Sequence, residues 1–196
     1  AGQVLMACDL WLELSLLGHW IADAVVLRWA ELTEQFSRRL GIHAGDVLPL
    51  LLARAEPKRG TDLARQVFVA EGVDRCTWSD RKLASGFDVD HVIPFSLWGN
   101  NDLWNLMPSH PKVNGDKSDR LPAGELLLAR RACITNNWQL LRDAMPEAFG
   151  KQAAHLIGRV PDSGFDWAPE LFMRLREAVE LTALQRGVER WAPGQV

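Results

Sequence analysis

The chain has 196 residues, of which 47% are hydrophobic and 24% are charged, and its formal net charge at pH 7 is −3. These values are typical of a soluble globular domain with its own hydrophobic core, and they exclude a disordered or low-complexity chain. The acidic balance also excludes a protein that holds nucleic acid by bulk positive charge, since that mode of binding needs a basic surface.

The apolar N-terminal run, residues 10–26, is predicted to be neither a signal peptide nor a membrane span. Four polar residues flank or interrupt it: Asp9, Glu13, His19 and Asp23. No basic segment precedes it, as a secretory signal would require. We therefore expect a soluble, cytoplasmic protein without a membrane partner.

Residues 1–72 are predicted to be helical. Spacings of three and four place one apolar stripe along the first helix, formed by Ile21, Val25, Trp29, Leu32, Phe36 and Leu40. This helix is expected to end at Gly41, and Trp11, Trp20 and Trp29 are expected to lie in the core.

Two further helices are predicted in the same region. Asp46 is a candidate N-cap for the second helix, which tolerates Pro49 in its first turn. Thr61 is a candidate N-cap for the third, which is expected to end at Gly72.

Helical patterns return in residues 123–196, where short apolar stripes alternate with Gly and Pro breaks. The last is a long amphipathic helix that begins near Pro169. Arg130 and Arg131 are interpreted as part of a solvated helix face, with phosphate contact as the alternative, and His155 as a structural histidine.

The segment between residues 76 and 121 has a different pattern. Phe87 and Val89 alternate with Asp88 and Asp90, which is the two-residue period of a half-buried strand. Strict alternation would send the side chains of Asp90 and His91 to opposite faces. A bulge or a strand end at His91 would let the two converge on one site.

A short helix is predicted after this strand. A turn rich in asparagine leads into an apolar piece, Leu103–Met107, and Ser109 or His110 can then cap a helix with Pro111 in its first turn. His110 and Asn114 would share one face of that helix, because they are four residues apart.

The polar residues of this segment suit metal-assisted hydrolysis of a phosphodiester. The Asp90 carboxylate and the Asn114 amide oxygen are hard donors that suit Mg²⁺ or Mn²⁺. His91 is the natural general base for a water nucleophile, since an unperturbed histidine titrates near working pH.

The run "DVDHVIP…NLMPSHPKVNGDKSD" resembles the motif of the HNH endonucleases and is most similar to the HNH domain of RNA-guided CRISPR nucleases. The resemblance covers residues 76–122 and implies an α+β fold, with a small ββα-metal core embedded in a mainly α-helical domain. The expected regions are a helical 1–72, an HNH core at 73–122 and a helical 123–196, together forming one compact unit.

The resemblance also assigns roles to residues. It makes His91 the general base and Asn105 the asparagine that braces the loop and helps to orient the base. It makes Asp90 and Asn114 ligands of Mg²⁺ or Mn²⁺. His110 falls where some members carry a further metal ligand, and helix capping is the alternative for it.

Two more residues are expected to bind substrate. Lys117 matches a basic position that contacts the phosphate backbone. Asp88 is expected to bind substrate, and a helix or turn contact with Arg81 or Lys82 is the alternative.

The chain departs from many family members, which hold this motif with a zinc ion on two C-x-x-C pairs. No such pair occurs among Cys8, Cys76 and Cys133, so structural zinc is not expected. These cysteines are expected to be buried free thiols. Trp78, Trp98 and Trp104 are expected to supply packing instead; stacking on bases is the alternative for the last two.

The predicted function is a metal-dependent endonuclease that acts on nucleic acid, with DNA as the expected substrate and bacterial defence, by restriction or a CRISPR-linked effector, as the setting. Residues 71–120 carry six Lys or Arg against eight Asp or Glu, so targeting is expected from a partner protein or a further N-terminal domain. A ribonuclease or toxin-like nuclease, and a catalytically idle nucleic-acid-binding module, remain alternatives.

Overall fold

The computed structural model describes residues 6–52, 58–83, 86–158 and 166–194. The chain forms two compact units, residues 1–58 and residues 59–196. Among the described residues, no helix combines the length and the apolar character that a membrane span requires.

The first unit is a pair of helices. Helix α1 is Cys8–Phe36 and helix α2 is Ala44–Leu52, with a 3₁₀ turn, Arg38–Leu40, between them. The first helix ends at Phe36, before the predicted end at Gly41. Gly41 instead ends the 3₁₀ turn, in the left-handed conformation (φ 66°) that favours glycine. The two helices pack against each other.

The predicted core position of Trp29 is wrong, and Phe36 of the same apolar stripe is exposed as well. Trp29 is 62% exposed and Phe36 is 85% exposed, and Ala30 is the one buried residue among those described in this unit. The physical reason is size, because a pair of helices covers only the strip along which they touch. The side chains of Trp11 and Trp20 lie outside the described part of the chain.

The second unit contains the remaining elements. They are α3 Asp62–Ala70, β1 Asp88–His91, α4 Phe95–Trp98, a 3₁₀ turn Leu103–Asn105, β2 Leu106–Ser109, α5 Pro111–Lys117, β3 Leu121–Pro122, α6 Gly124–Ala129, α7 Arg131–Ala144, α8 Pro146–Ile157, α9 Trp167–Arg186 and β4 Arg190–Trp191. The predicted α+β class is confirmed.

The centre of this unit is an antiparallel pair of strands with a short helix against it. β1 pairs with β2, and Asp90 lies opposite Met107. Helix α5 follows β2 directly and packs on β1. A second, parallel pair, β3 with β4, brings the end of the chain back beside this core.

The second unit begins before the HNH motif. Helix α3, predicted correctly as the segment after Thr61, packs on β1, β2 and α7. Its Ala64 and Phe68 side chains are fully buried. The boundary between the two compact units lies at residue 58. The sequence pattern instead predicts that a helical region ends at residue 72 and that the whole chain forms one compact unit.

Tryptophans fill the core between the strands and the C-terminal helices. Trp138 on α7 is fully buried, and its Nε1 donates to the carbonyl oxygen of Trp104 at 2.8 Å. The Trp138 ring also packs against those of Trp167 and Phe172, with centroids 6.3 and 6.4 Å away. These contacts fasten the turn before β2 to α7 and α9.

The predicted packing roles of the central tryptophans are confirmed where their side chains are buried. Trp78 and Trp104 are each 1% exposed. Trp98 is half-buried, stacks edge-on against Trp104 and donates from Nε1 to Thr182 Oγ1 at 3.1 Å. Cys76 is a buried free thiol, as predicted.

We predict that Leu175→Ala will lower the free energy of unfolding by about 2–5 kcal/mol, because it opens a cavity in the core. Leu175 is fully buried on α9, whereas Leu184 on the same helix is 72% exposed. Leu184→Ala is the matched control and should stay within about 0.5 kcal/mol of wild type in urea unfolding. Equal losses in the two variants would contradict the packing of α9.

Candidate active site

One face of β1 carries two carboxylates. Asp88 and Asp90 are two residues apart on the strand, so their side chains share a face, and that face contacts α5. Asn114 Nδ2 donates to Asp88 Oδ2 at 2.9 Å, and Lys117 Nζ lies 3.1 Å from each Asp90 oxygen. Asn114 and Lys117 are three residues apart on α5, which puts them on one helix face.

The ion pair of Asp90 and Lys117 is buried. Lys117 is 0% exposed and Asp90 6%. Trp78 Nε1 donates to Asp90 Oδ2 at 2.8 Å, and Lys117 Nζ also donates to the carbonyl oxygen of His91 at 2.6 Å. Burial raises the pKa of Asp90 and lowers the pKa of Lys117, and the attraction between the two groups opposes both shifts.

The burial of Lys117 differs from the sequence-based expectation of a phosphate contact. Its ammonium is enclosed and donates to Asp90 and to the strand backbone at His91. A group in that position cannot reach a phosphate on the surface of the protein. The geometry gives this lysine a structural role, which is to hold α5 against β1.

His91 ends β1, and its side chain has different neighbours from Asp90. Its Nε2 lies 3.1 Å from Asn101 Oδ1, and its ring centroid lies 5.4 Å from that of Phe95. Burial lowers the pKa of His91, and the positive charges of Arg59 and Lys117 add to this effect, while the Asn101 contact opposes it. The ring is therefore neutral near pH 7, as a general base must be.

The structure shows the strand end that was predicted at His91, but it does not show the predicted convergence of the Asp90 and His91 side chains. The strand does end at His91, but the β1–β2 register runs through it without a bulge. Among the contacts of the described residues, the two side chains share no partner: Asp90 meets Trp78 and Lys117, whereas His91 meets Asn101.

Asn105 braces the chain just after His91. It is fully buried, its Oδ1 accepts from the backbone N–H of Ile93 at 2.8 Å, and its Nδ2 donates to the Ile93 carbonyl at 3.0 Å. Its own carbonyl accepts from the N–H of Val92 at 2.8 Å. This geometry suits the bracing role that the resemblance implies, and a direct part in catalysis stays a prediction.

His110 caps helix α5. Its Nδ1 accepts from the backbone N–H of Lys112 at 3.2 Å, which satisfies one of the unpaired donors at the start of the helix. The capping alternative is thus present, and a metal-ligand role for His110 stays a prediction.

The oxygen atoms of Asp88, Asp90 and Asn114 are of the kind that binds a hard divalent cation. Asp88 and Asn114 are in direct contact, and rotation of the Asn114 amide exchanges its nitrogen for an oxygen that a cation accepts. The carboxylate of Asp90 is held by Lys117. Within the described residues, no cluster of three or more His, Cys, Asp or Glu side chains forms a metal site.

Sequence reasoning missed Asn101 and Trp78 as neighbours of the site. Asn101 Oδ1 also accepts from the backbone N–H of Gly60 at 2.9 Å, and these two residues are 41 positions apart. A contact over that distance has no local sequence signal. The asparagine-rich turn was visible, but its pattern indicates only a turn.

An antiparallel strand pair followed by a short helix, with Asp and His on the first strand and Asn on the helix, is the ββα arrangement that the resemblance implies. Residues 77–123 match the model of a family described as HNH endonuclease. The predicted recognition of this family is confirmed. The closer similarity to RNA-guided CRISPR nucleases stays a prediction.

The N-terminal helices match a different family. Residues 1–51 match the model of a domain of unknown function, DUF8808, which assigns them no activity. No curated protein and no solved structure matches the chain.

We predict that Lys117→Met will lower the free energy of unfolding by about 3–5 kcal/mol, because it leaves the Asp90 charge buried without its partner. Lys112→Met on the same short helix is the matched control, since Lys112 is exposed, and it should change stability by about 0.5 kcal/mol or less. Urea unfolding measures both.

A double-mutant cycle makes this prediction specific to the ion pair. Asp90→Asn together with Lys117→Met should be less destabilising than the sum of the two single changes, because neither charge is then left alone. Strictly additive losses would contradict a direct interaction between Asp90 and Lys117.

Proposed function

We propose that this protein is a metal-dependent endonuclease that hydrolyses phosphodiester bonds in DNA. The observation that carries the proposal is a buried His91 with a lowered pKa at the end of the strand that also carries Asp88 and Asp90, within the residues that match the HNH endonuclease family. A base beside hard oxygen donors suits hydrolysis of a phosphate ester.

His91 takes a proton from water as that water attacks phosphorus. The bond between phosphorus and the 3′ oxygen breaks, and the departing oxygen takes a proton from solvent, which leaves a 5′ phosphate and a 3′ hydroxyl. Asp90 and Asn114 would hold Mg²⁺ or Mn²⁺, with Asp88 as an adjacent oxygen donor. When bound, this cation supplies positive charge that stabilises the transition state and the departing oxygen.

Two other groups keep the base in place. The buried ammonium of Lys117 donates to the carbonyl of His91, and Asn105 holds the backbone of the two residues that follow. Both contacts fix the strand end from which the His91 ring projects. Such support matters, because small displacements of a catalytic group cost much of its effect.

DNA and a role in bacterial defence follow from the HNH resemblance, and targeting by a partner protein or a further domain follows from the acidic balance of the chain. RNA cleavage and catalytically idle binding of nucleic acid are the competing functions, and the following experiment distinguishes them.

We expect purified protein to nick supercoiled plasmid in the presence of Mg²⁺ or Mn²⁺, because one site per chain cuts one strand at a time. His91→Ala should lower the rate by about 100-fold or more, which is the usual contribution of a general base. EDTA should abolish cleavage. The conversion of supercoiled to open-circular DNA on a gel measures the rate.

The failures of this experiment are informative. Cleavage of single-stranded RNA but not of DNA would favour the ribonuclease alternative. No cleavage of any nucleic acid, together with no heat of Mn²⁺ binding in calorimetry, would favour the idle module. A His91→Ala protein that is folded and fully active would contradict the proposed base.

We further predict that the nicking rate at saturating Mn²⁺ stays constant from about pH 8 to 6.5 and falls below that range. The pKa of His91 is lowered from its ordinary value of 6.5, chiefly by burial, so the neutral base persists to lower pH than in a free histidine. Circular dichroism at each pH controls for unfolding. A decline that begins above pH 7 would contradict the burial of the base.

A further inference from the structure

The side chain of Asn101 meets two nitrogen atoms with a single oxygen. Its Oδ1 lies 2.9 Å from the backbone N of Gly60 and 3.1 Å from His91 Nε2. Both distances are within the ordinary range for N–H···O hydrogen bonds. The contact therefore joins the residues before α3 to the turn before β2 and to the histidine ring.

The backbone of Gly60 fixes which atom of the Asn101 amide occupies this position. A backbone N–H can only donate, so its partner must be an acceptor. Exchange of the amide oxygen and nitrogen would set two donors against each other. The orientation of the amide is thus determined by its hydrogen bonds and is not an arbitrary choice between two similar atoms.

This orientation determines the proton position on the His91 ring. An amide oxygen only accepts, so His91 Nε2 must be the donor in the contact with Asn101. A neutral imidazole carries one N–H, so its other nitrogen, Nδ1, then holds the free lone pair.

From this geometry we infer that Asn101 is a positioning residue, which holds His91 as the Nε2–H tautomer and presents Nδ1 as the nitrogen that removes the proton from water. The inference names the working atom of the base and rests on the proposed nuclease function. In the proposed reaction Asn101 acts through His91, and its contact with Gly60 holds the amide in place.

The chemistry explains why an amide suits this position. A carboxylate there would also accept from both nitrogens, but its negative charge would favour the charged imidazolium. The amide fixes the tautomer without that charge, so the ring stays neutral and basic.

The segment that supplies the Gly60 N–H is itself tied to the histidine. The Arg59 guanidinium lies over the ring of Phe95, 5.7 Å from its centroid, and the Phe95 ring packs against that of His91. Arg59 thus packs on Phe95, and Phe95 and the Asn101 amide both contact the His91 ring, which restricts its rotation as well as its proton position.

Nitrogen NMR tests the tautomer directly. In long-range ¹H–¹⁵N spectra of wild-type protein near neutral pH, His91 should show a protonated Nε2 and an unprotonated Nδ1. The chain has five histidines, and the signals absent from His91→Ala identify this ring. A wild-type ring with its proton on Nδ1 would overturn the inference, whether or not the protein cuts DNA.

Kinetics test the positioning role. Asn101→Leu should lower kcat for plasmid nicking by about 10- to 100-fold, the usual cost of removing a partner that orients a functional histidine. KM and the affinity for Mn²⁺ should change little, because the proposed cation ligands Asp90 and Asn114 have hydrogen-bond partners other than Asn101. Asn101→Asp should keep the Nε2–H tautomer and recover a large part of the lost rate, since it accepts both hydrogen bonds.

Asn136→Leu is the control for replacing an exposed amide by an apolar group, since Asn136 lies on the surface of α7. It should retain the wild-type rate. Full activity of a folded Asn101→Leu variant would overturn the inference while leaving the nuclease function intact. Failure of wild type to cut any nucleic acid would refute the function, and the NMR result would still decide the tautomer.

Discussion

The arrangement of the site depends on the buried ion pair between Asp90 and Lys117. Two charges without water are costly, and they persist here because Trp78 and the His91 carbonyl complete their hydrogen bonds. The pair fixes α5 against β1 at one point. A single turn of helix then suffices to bring Asn114 to Asp88, so one structural contact determines the geometry of the adjacent polar one.

The same pair also sets the electrostatics of the two faces of β1. On the α5 face, Lys117 offsets the charge of Asp90, and Asp88 contributes a second carboxylate beside an amide. On the His91 side, burial and nearby positive charge keep the ring neutral, and Asn101 adds a dipole without adding charge. The alternation of a strand thus separates the side chains of Asp88 and Asp90 from that of His91, although Asp90 and His91 are adjacent in sequence.

Local patterns predicted the elements of the site but not all of its contacts. The third helix, the first strand and the capped helix after Pro111 follow from periodicity and capping, which depend on neighbouring residues. The contact of Gly60 with Asn101 and the burial of Lys117 depend on packing between distant segments. The prediction that Trp29 is buried failed for a different reason. A regular apolar stripe predicts which face of a helix is apolar, but it does not identify the residues that would cover that face.

The helical surroundings explain how an HNH motif of this size is stable without the paired cysteines found in many members of the family. The 47 residues that match the family are few for an independent hydrophobic core. Here Arg130, the N-cap residue of α7, donates to the carbonyl oxygens of Cys76 and Thr77, and Trp138 on that helix donates to the carbonyl oxygen of Trp104. Segments before and after β1 are therefore held by one helix. Because Asp88, Asp90 and His91 on β1 lie between these attachment points in the chain, α7 helps to hold this strand in place.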